Sequence, residues 1–136
     1  GKVTGIIPKS LEPVEISGHS VGDVVIVKDM HERKARMFKD SDAFIALPGG
    51  FGTLEELLEV MTWRQLGHRD KPIGCPNGAG YFDLFLSFLE TAVDEGFIRS
   101  SAKKMLITAR TPAELLDEME KSTKNLRESR RALVKN

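Results

Sequence analysis

Five short, almost continuous apolar runs alternate with helical patterns along this chain, and that alternation restricts the fold more than any other feature. Lys2 to Ile7 reads as a strand ended by Pro8, and Val24 to Val27 as a second. Ala43 to Leu47 reads as a third, stopped by Pro48-Gly49-Gly50; Pro72 to Cys75 is a fourth and Met105 to Thr108 a fifth. Runs that are apolar throughout, rather than at every second residue, fit parallel strands covered on both faces. Between them, Asp29 is placed to cap a helix reaching about Lys39. Thr53 opens a helix over Leu54 to Leu66, with Leu54, Leu57, Leu58, Met61 and Gln65 at helical spacing and Gly67 as its stop. Tyr81 to Glu95 is a third helical pattern, closed by Gly96. Thr111-Pro112-Ala113-Glu114 has the form of a capping box and leads a helix carrying Leu115, Leu116 and Met119. Strands and helices in this order predict an α/β fold built as a doubly wound parallel sheet with helices on both faces, over residues 1–120. From Lys121 the chain is charged and nearly without apolar residues, so 121–136 is expected to be a frayed helix or disordered tail.

A chain of 136 residues with 40% hydrophobic content suits one domain with a real core. Lys plus Arg and Asp plus Glu number 20 each, so no global charge favours nucleic acid or a membrane surface as a partner. No apolar run approaches the roughly 18 residues of a membrane span. The lone Cys75 excludes an intramolecular disulfide and fits a reducing compartment, so a cytoplasmic protein is expected, with the nucleus as a second location. The histidines and the cysteine lack metal-ligand spacing, and no metal is expected. Residue 1 is Gly and the chain opens directly into its first apolar run without the layout of a secretory signal; the expectation is a sequence cut at its N-terminus.

The most informative stretch is Leu47-Pro48-Gly49-Gly50-Phe51-Gly52-Thr53-Leu54-Glu55-Glu56. It leaves a strand and opens a helix, where ligands of open α/β sheets bind. Glycines allow tight turning and close approach to bare backbone, and a helix N-terminus offers unpaired N–H groups and partial positive charge. Such a turn suits phosphate. It is neither a P-loop, since no Lys-Ser/Thr follows, nor a GxGxxG fingerprint. A plain tight turn is the bland alternative. Glu56 has two equal readings: the acid of a Thr53-x-x-Glu56 capping box, or a carboxylate working beside a phosphate site. For Arg33, in Met30-His31-Glu32-Arg33-Lys34, a solvated basic face is favoured over an anion clamp. Glu15 lies in a segment read as a loop after the first strand, and Thr62 and Trp63 lie on the long helix, where core packing is the default for Trp63. His19, His31 and His68 are expected on the surface, and Cys75 as a small buried hydrophobe rather than a nucleophile.

Pro48 to Glu56 resembles the Pro-Gly-Gly-x-Gly-Thr-x-x-Glu signature of the LONELY GUY (LOG) family, cytokinin riboside 5′-monophosphate phosphoribohydrolases long mislabelled as lysine decarboxylases. Met30 to Lys34 is similar to the family's Met-His-x-Arg-Lys element. Gly5-Ile-Ile-Pro-Lys9, Glu15-Ile-Ser-Gly18, Phe44-Ile-Ala-Leu47, Thr62-Trp63-x-Gln65-Leu66-Gly67, Lys71-Pro72-x-Gly74 and Glu95-Gly96-Phe97-Ile98 extend the likeness over about residues 4–120. The resemblance implies a Rossmann-like fold and hydrolysis of the N-glycosidic bond of an adenine-type nucleoside 5′-monophosphate. It implies Arg33 and Glu56 as the catalytic pair. Gly50, Gly52 and Thr53 would hold phosphate and ribose, with Phe51, Leu54 and Glu55 in the same binding segment, and Glu15, Lys34 and Thr62 would line the pocket. It implies a homodimer, associated through the helix bearing Met61 and Trp63, and no metal or redox cofactor. The family carries two further βα units upstream that are missing from this sequence, and Cys75-Pro76-Asn77-Gly78-Ala79-Gly80 stands where Leu-Leu-Asn-x-x-Gly is usual, so that loop is expected to differ. Two alternatives stand beside this: a broader nucleoside 5′-monophosphate hydrolase acting on AMP, and a binding module that holds a nucleotide or phosphorylated cofactor without turnover. Lysine decarboxylation is not expected, because the chain shows no convincing pyridoxal phosphate site.

Overall fold

Every strand pairing among the described residues is parallel, as the unbroken apolar runs require. The computed structural model describes residues 1–15, 21–67 and 71–134. The chain divides into two compact units, Gly1–Ser41 and Asp42–Asn136. No helix among the described residues is long and apolar enough to cross a membrane.

In the first unit, β1 (Thr4–Pro8) pairs with β2 (Asp23–Val27), Thr4 opposite Asp23 and Pro8 opposite Val27. Pro8 is the last residue of β1 rather than the one after it, a position where its missing N–H is tolerated. A 3-10 turn (Lys9–Leu11) and a short helix α1 (Glu12–Glu15) follow, so the segment read as a loop is helical up to Glu15, with Pro13 in the first turn where it costs least. Helix α2 (Met30–Asp40) packs on β1 and β2. Its cap is the expected one: Asp29 accepts from the Glu32 N–H at 2.9 Å. That bond holds the Asp29 carboxyl below its ordinary pKa.

In the second unit, β3 (Phe44–Ile45), β4 (Ile73–Pro76) and β5 (Leu106–Ala109) lie in that order in one sheet. Helix α3 (Phe51–Gln65) connects β3 to β4, α4 (Asp83–Asp94) lies between β4 and β5, and α5 (Pro112–Val134) follows β5. The strand period of two sorts β4 between two layers. Ile73 and Cys75 are fully buried in the cluster containing Leu57 and Met61 of α3 and Phe82 and Leu89 at α4. Gly74 points the other way, under α5, where an added Cβ would lie 2.7 Å from Met119 Sδ and 3.0 Å from Leu115 Cδ1. Helices therefore cover both faces of this sheet, as expected, and α5 sits close enough to β4 to demand glycine.

Helix ends follow local chemistry. Gly96, at φ 79°, ends α4 in a Schellman motif, with Gly96 N–H donating to Val93 O (3.0 Å) and Phe97 N–H to Ala92 O (2.9 Å). At Thr111 the capping box is complete: Glu114 N–H donates to Thr111 Oγ1 and Thr111 N–H to Glu114 Oε2, both at 3.2 Å. Helix α5 does not fray at Lys121 but continues to Val134. Its charged residues are good helix formers, acids lead and bases trail in the order the helix dipole favours, and Lys121 Nζ meets Glu118 Oε1 at 2.7 Å.

Candidate functional site

The turn after β3 contains glycines with different reasons to be glycine. An added Cβ at Gly49 would lie 2.2 Å from Thr53 Oγ1, so packing alone excludes a side chain there. At Gly50 and Gly52 an added Cβ would meet nothing within 4 Å, and neither has positive φ. Neither packing nor backbone conformation calls for glycine at those two positions. What the missing side chains leave is open space above bare backbone at the start of a 15-residue helix.

Gly50 is the N-cap of α3 and Phe51 its first residue; the first intrahelical bond runs from Leu54 N–H to Gly50 O at 3.2 Å. Helix geometry leaves the N–H groups of Phe51, Gly52 and Thr53 without an intrahelical acceptor, at the positive end of the dipole. This corrects the helix start read at Thr53. Thr53 is the third helical residue, with its hydroxyl oxygen over Gly49, and Glu56 is the sixth. A capping box needs its acid at the third position, so Thr53 and Glu56 do not form one. Glu56 is half-buried one turn beyond Thr53, about 4.5 Å of helix rise, and helical side chains lean back toward the N-terminus.

A second turn, after β4, is tied to this one. Asn77 organises it: its side-chain carbonyl accepts from Phe82 N–H at 2.9 Å, and its amide donates to Asp83 Oδ1 at 2.7 Å. Pro76 closes β4 opposite Ala109, and Asn77 N–H resumes the pairing by donating to Ala109 O at 2.8 Å. From this turn the Tyr81 hydroxyl donates to the Gly49 carbonyl at 2.5 Å. Sequence reading missed Tyr81; a tether across 32 residues leaves no local pattern.

In the first unit, Met30, Arg33, Lys34, Met37 and Phe38 are the half-buried residues of α2, while His31, Glu32, Ala35, Arg36, Lys39 and Asp40 are exposed. That is one stripe at i, i+3, i+4, i+7 and i+8. Arg33 therefore lies within the apolar stripe rather than on the solvated face favoured from sequence. It lines a groove of about 560 Å³ with Lys2, Thr4, Gly5, Ile6 and Met37. Arg36 and Lys39 are the solvated cations of α2; Arg36 ion-pairs with Asp40, and that hydrogen bond raises its pKa.

The remaining candidates are scattered. Glu15 ends α1; His19 and His68 lie outside the described residues. Phe51 is 94% exposed beside the corner. Leu54 is half-buried and Glu55 exposed. Thr62 lies two and a half turns beyond Thr53, where its hydroxyl donates to Leu58 O at 2.7 Å. Burial pushes the Cys75 thiol up to about 11, so it is a core residue and no nucleophile at neutral pH. Among the described residues no three His, Cys, Asp or Glu side chains gather as a metal ion would need.

Parallel strands flanked by helices, with a glycine corner opening a helix at the carboxyl end of a strand, define an α/β architecture of the Rossmann-like kind. Residues 1–119 match the model of the family described as "Possible lysine decarboxylase", and the chain belongs to that family, which includes the LOG proteins. It is 59% identical over 118 residues to a probable cytokinin riboside 5′-monophosphate phosphoribohydrolase of Oryza sativa subsp. japonica, covering 87% of this chain and 48% of the relative. It is 58% identical over 118 residues to a cytokinin riboside 5′-monophosphate phosphoribohydrolase of Arabidopsis thaliana, covering 87% of this chain and 55% of that one. A second rice relative, also named a probable enzyme of this activity, is 55% identical over 126 residues, covering 93% of this chain and 56% of the relative. The chain thus spans about half the length of the curated relatives it matches.

Proposed function

We propose that this chain belongs to an enzyme that hydrolyses the N-glycosidic bond of cytokinin riboside 5′-monophosphates, releasing the free base and ribose 5-phosphate in the cytoplasm. The relatives' names support the reaction and substrate. The observation that carries it here is the open space over Gly50 and Gly52 at the start of α3, with Glu56 one turn further on. The 5′-phosphate accepts from the first N–H groups of α3, where backbone and dipole both favour an anion. The phosphate group is thereby anchored, and the sugar extends along the first turns toward Glu56. Cleavage passes through an oxocarbenium-like state as the C1′–N bond breaks and its electron pair leaves with the base. The Glu56 carboxylate stabilises the positive charge at C1′ or takes a proton from the water that adds there, and the base gains a proton. Arg33 is named with Glu56 on the resemblance of its Met30–Lys34 motif alone; the chemistry a guanidinium offers is to neutralise phosphate charge or to help a departing base carry its electron pair. Lys34 and Glu15 are substrate-binding candidates on the resemblance of their motifs alone.

The direct test incubates the full-length protein with isopentenyladenosine monophosphate, the matching riboside and AMP, and measures released base. Release from the cytokinin nucleotide alone is expected. Release from AMP as well means a broader nucleosidase, and binding without release means a nucleotide-binding module.

We also propose a homodimer. Met61, expected at the contact, is buried in the protein's own core, but Leu58 of α3, Leu66 just after it, and Leu84 and Phe88 of α4 are exposed. Large exposed apolar side chains on neighbouring helices suit association. Light scattering at micromolar concentration should give twice the chain mass; a monomer overturns this.

A further inference from the structure

We infer that Tyr81 is a positioning residue of the anion corner, setting the orientation of the Gly49–Gly50 peptide and thereby the affinity for the substrate's 5′-phosphate. This rests on the proposed function and extends it to a residue that never touches the reacting atoms. In a planar trans peptide the C=O and N–H point in opposite directions, so a bond that fixes the Gly49 carbonyl also fixes the Gly50 N–H. The Tyr81 hydroxyl donates to that carbonyl at 2.5 Å. The tether matters because the peptide lies between two glycines, where rotation of the unit meets no Cβ from either residue. Without it, the Gly50 N–H has no fixed direction at the entrance of α3.

Tyr81 is itself held firmly. Its neighbour Phe82 is buried, and the two rings meet edge to face, 5.2 Å between centroids at 88°. The Phe82 N–H is held by Asn77 and the Asn77 amide by Asp83. The Tyr81 side of the tether is therefore rigid, and the glycine side is what it steadies. Tyr81 is also 55% exposed, so its ring is not retained for core burial, and removing one oxygen leaves packing intact.

The test is Tyr81→Phe in the full-length protein, with KM and kcat for the cytokinin nucleotide, the Kd of ribose 5-phosphate by calorimetry, and Tm. Loss of one hydrogen bond to the corner should raise KM and the ribose 5-phosphate Kd about tenfold, with kcat and Tm retained. Unchanged KM and Kd overturn the inference, as does a fall in kcat and Tm with KM held, which marks a merely structural role. A wild-type protein that cleaves no nucleotide but whose ribose 5-phosphate binding weakens in the variant refutes the hydrolase reading and upholds Tyr81. A wild-type protein that does not bind ribose 5-phosphate refutes the Tyr81 inference.

Discussion

Helices α3 and α5 both leave the carboxyl end of a parallel strand, yet their first turns are built in opposite ways. At α5, Thr111 and Glu114 close on each other through two hydrogen bonds, with Pro112 at the first helical position where no donor is wanted. At α3, the cap is Gly50, which has no side chain, and Gly52 in the first turn lowers helix propensity by about 1 kcal/mol relative to alanine. A first turn whose donors are met from within serves only the fold. One stripped of side chains has no side-chain cap of its own.

Three substitutions break or sharpen that contrast. Glu56→Gln should lower kcat by about 100-fold or more while shifting stability by less than about 1 kcal/mol, measured by base release and thermal melting. Near-normal turnover in this variant would leave Glu56 with a structural role only. Gly52→Ala should weaken ribose 5-phosphate binding about tenfold by filling the open space, while thermal stability stays level or gains up to about 1 kcal/mol. Binding unaffected by that methyl would remove the case for a ligand over Gly52. Thr111→Ala should do the reverse, costing about 1 kcal/mol in denaturant unfolding with kcat/KM unchanged.

The order of elements was legible because unbroken apolar runs and helical spacing are local signals. Boundaries moved by a residue or two, as at β4, which runs Ile73–Pro76 rather than Pro72–Cys75. The larger error, the start of α3, has a specific cause. Sequence reading looks for Ser, Thr, Asp or Asn as a cap, and Thr53 offered itself, whereas the helix begins on Gly50, a cap without a side chain to announce it. Charge in residues 121–134 suggested solvation and fraying, but the same Glu, Lys and Arg residues propagate helix. Arg33 was read on a solvated basic face because charged neighbours at i,i+3 and i,i+4 spacing pair readily there, but it is half-buried in the stripe with Met30, Lys34, Met37 and Phe38. The Gly49–Glu56 corner was visible as a motif, but the Tyr81 strut that braces it links two loops far apart in sequence.

The sulfur of Cys75 sits entombed in the middle strand, with no solvent reach and little thiolate at physiological pH. Oxidants in a preparation have no handle on it while the protein stays folded, and two molecules cannot be stapled together through it. Any paired species seen without reductant would therefore owe nothing to this thiol, and a sudden appetite of this sulfur for alkylating reagents would report that the sheet had come apart.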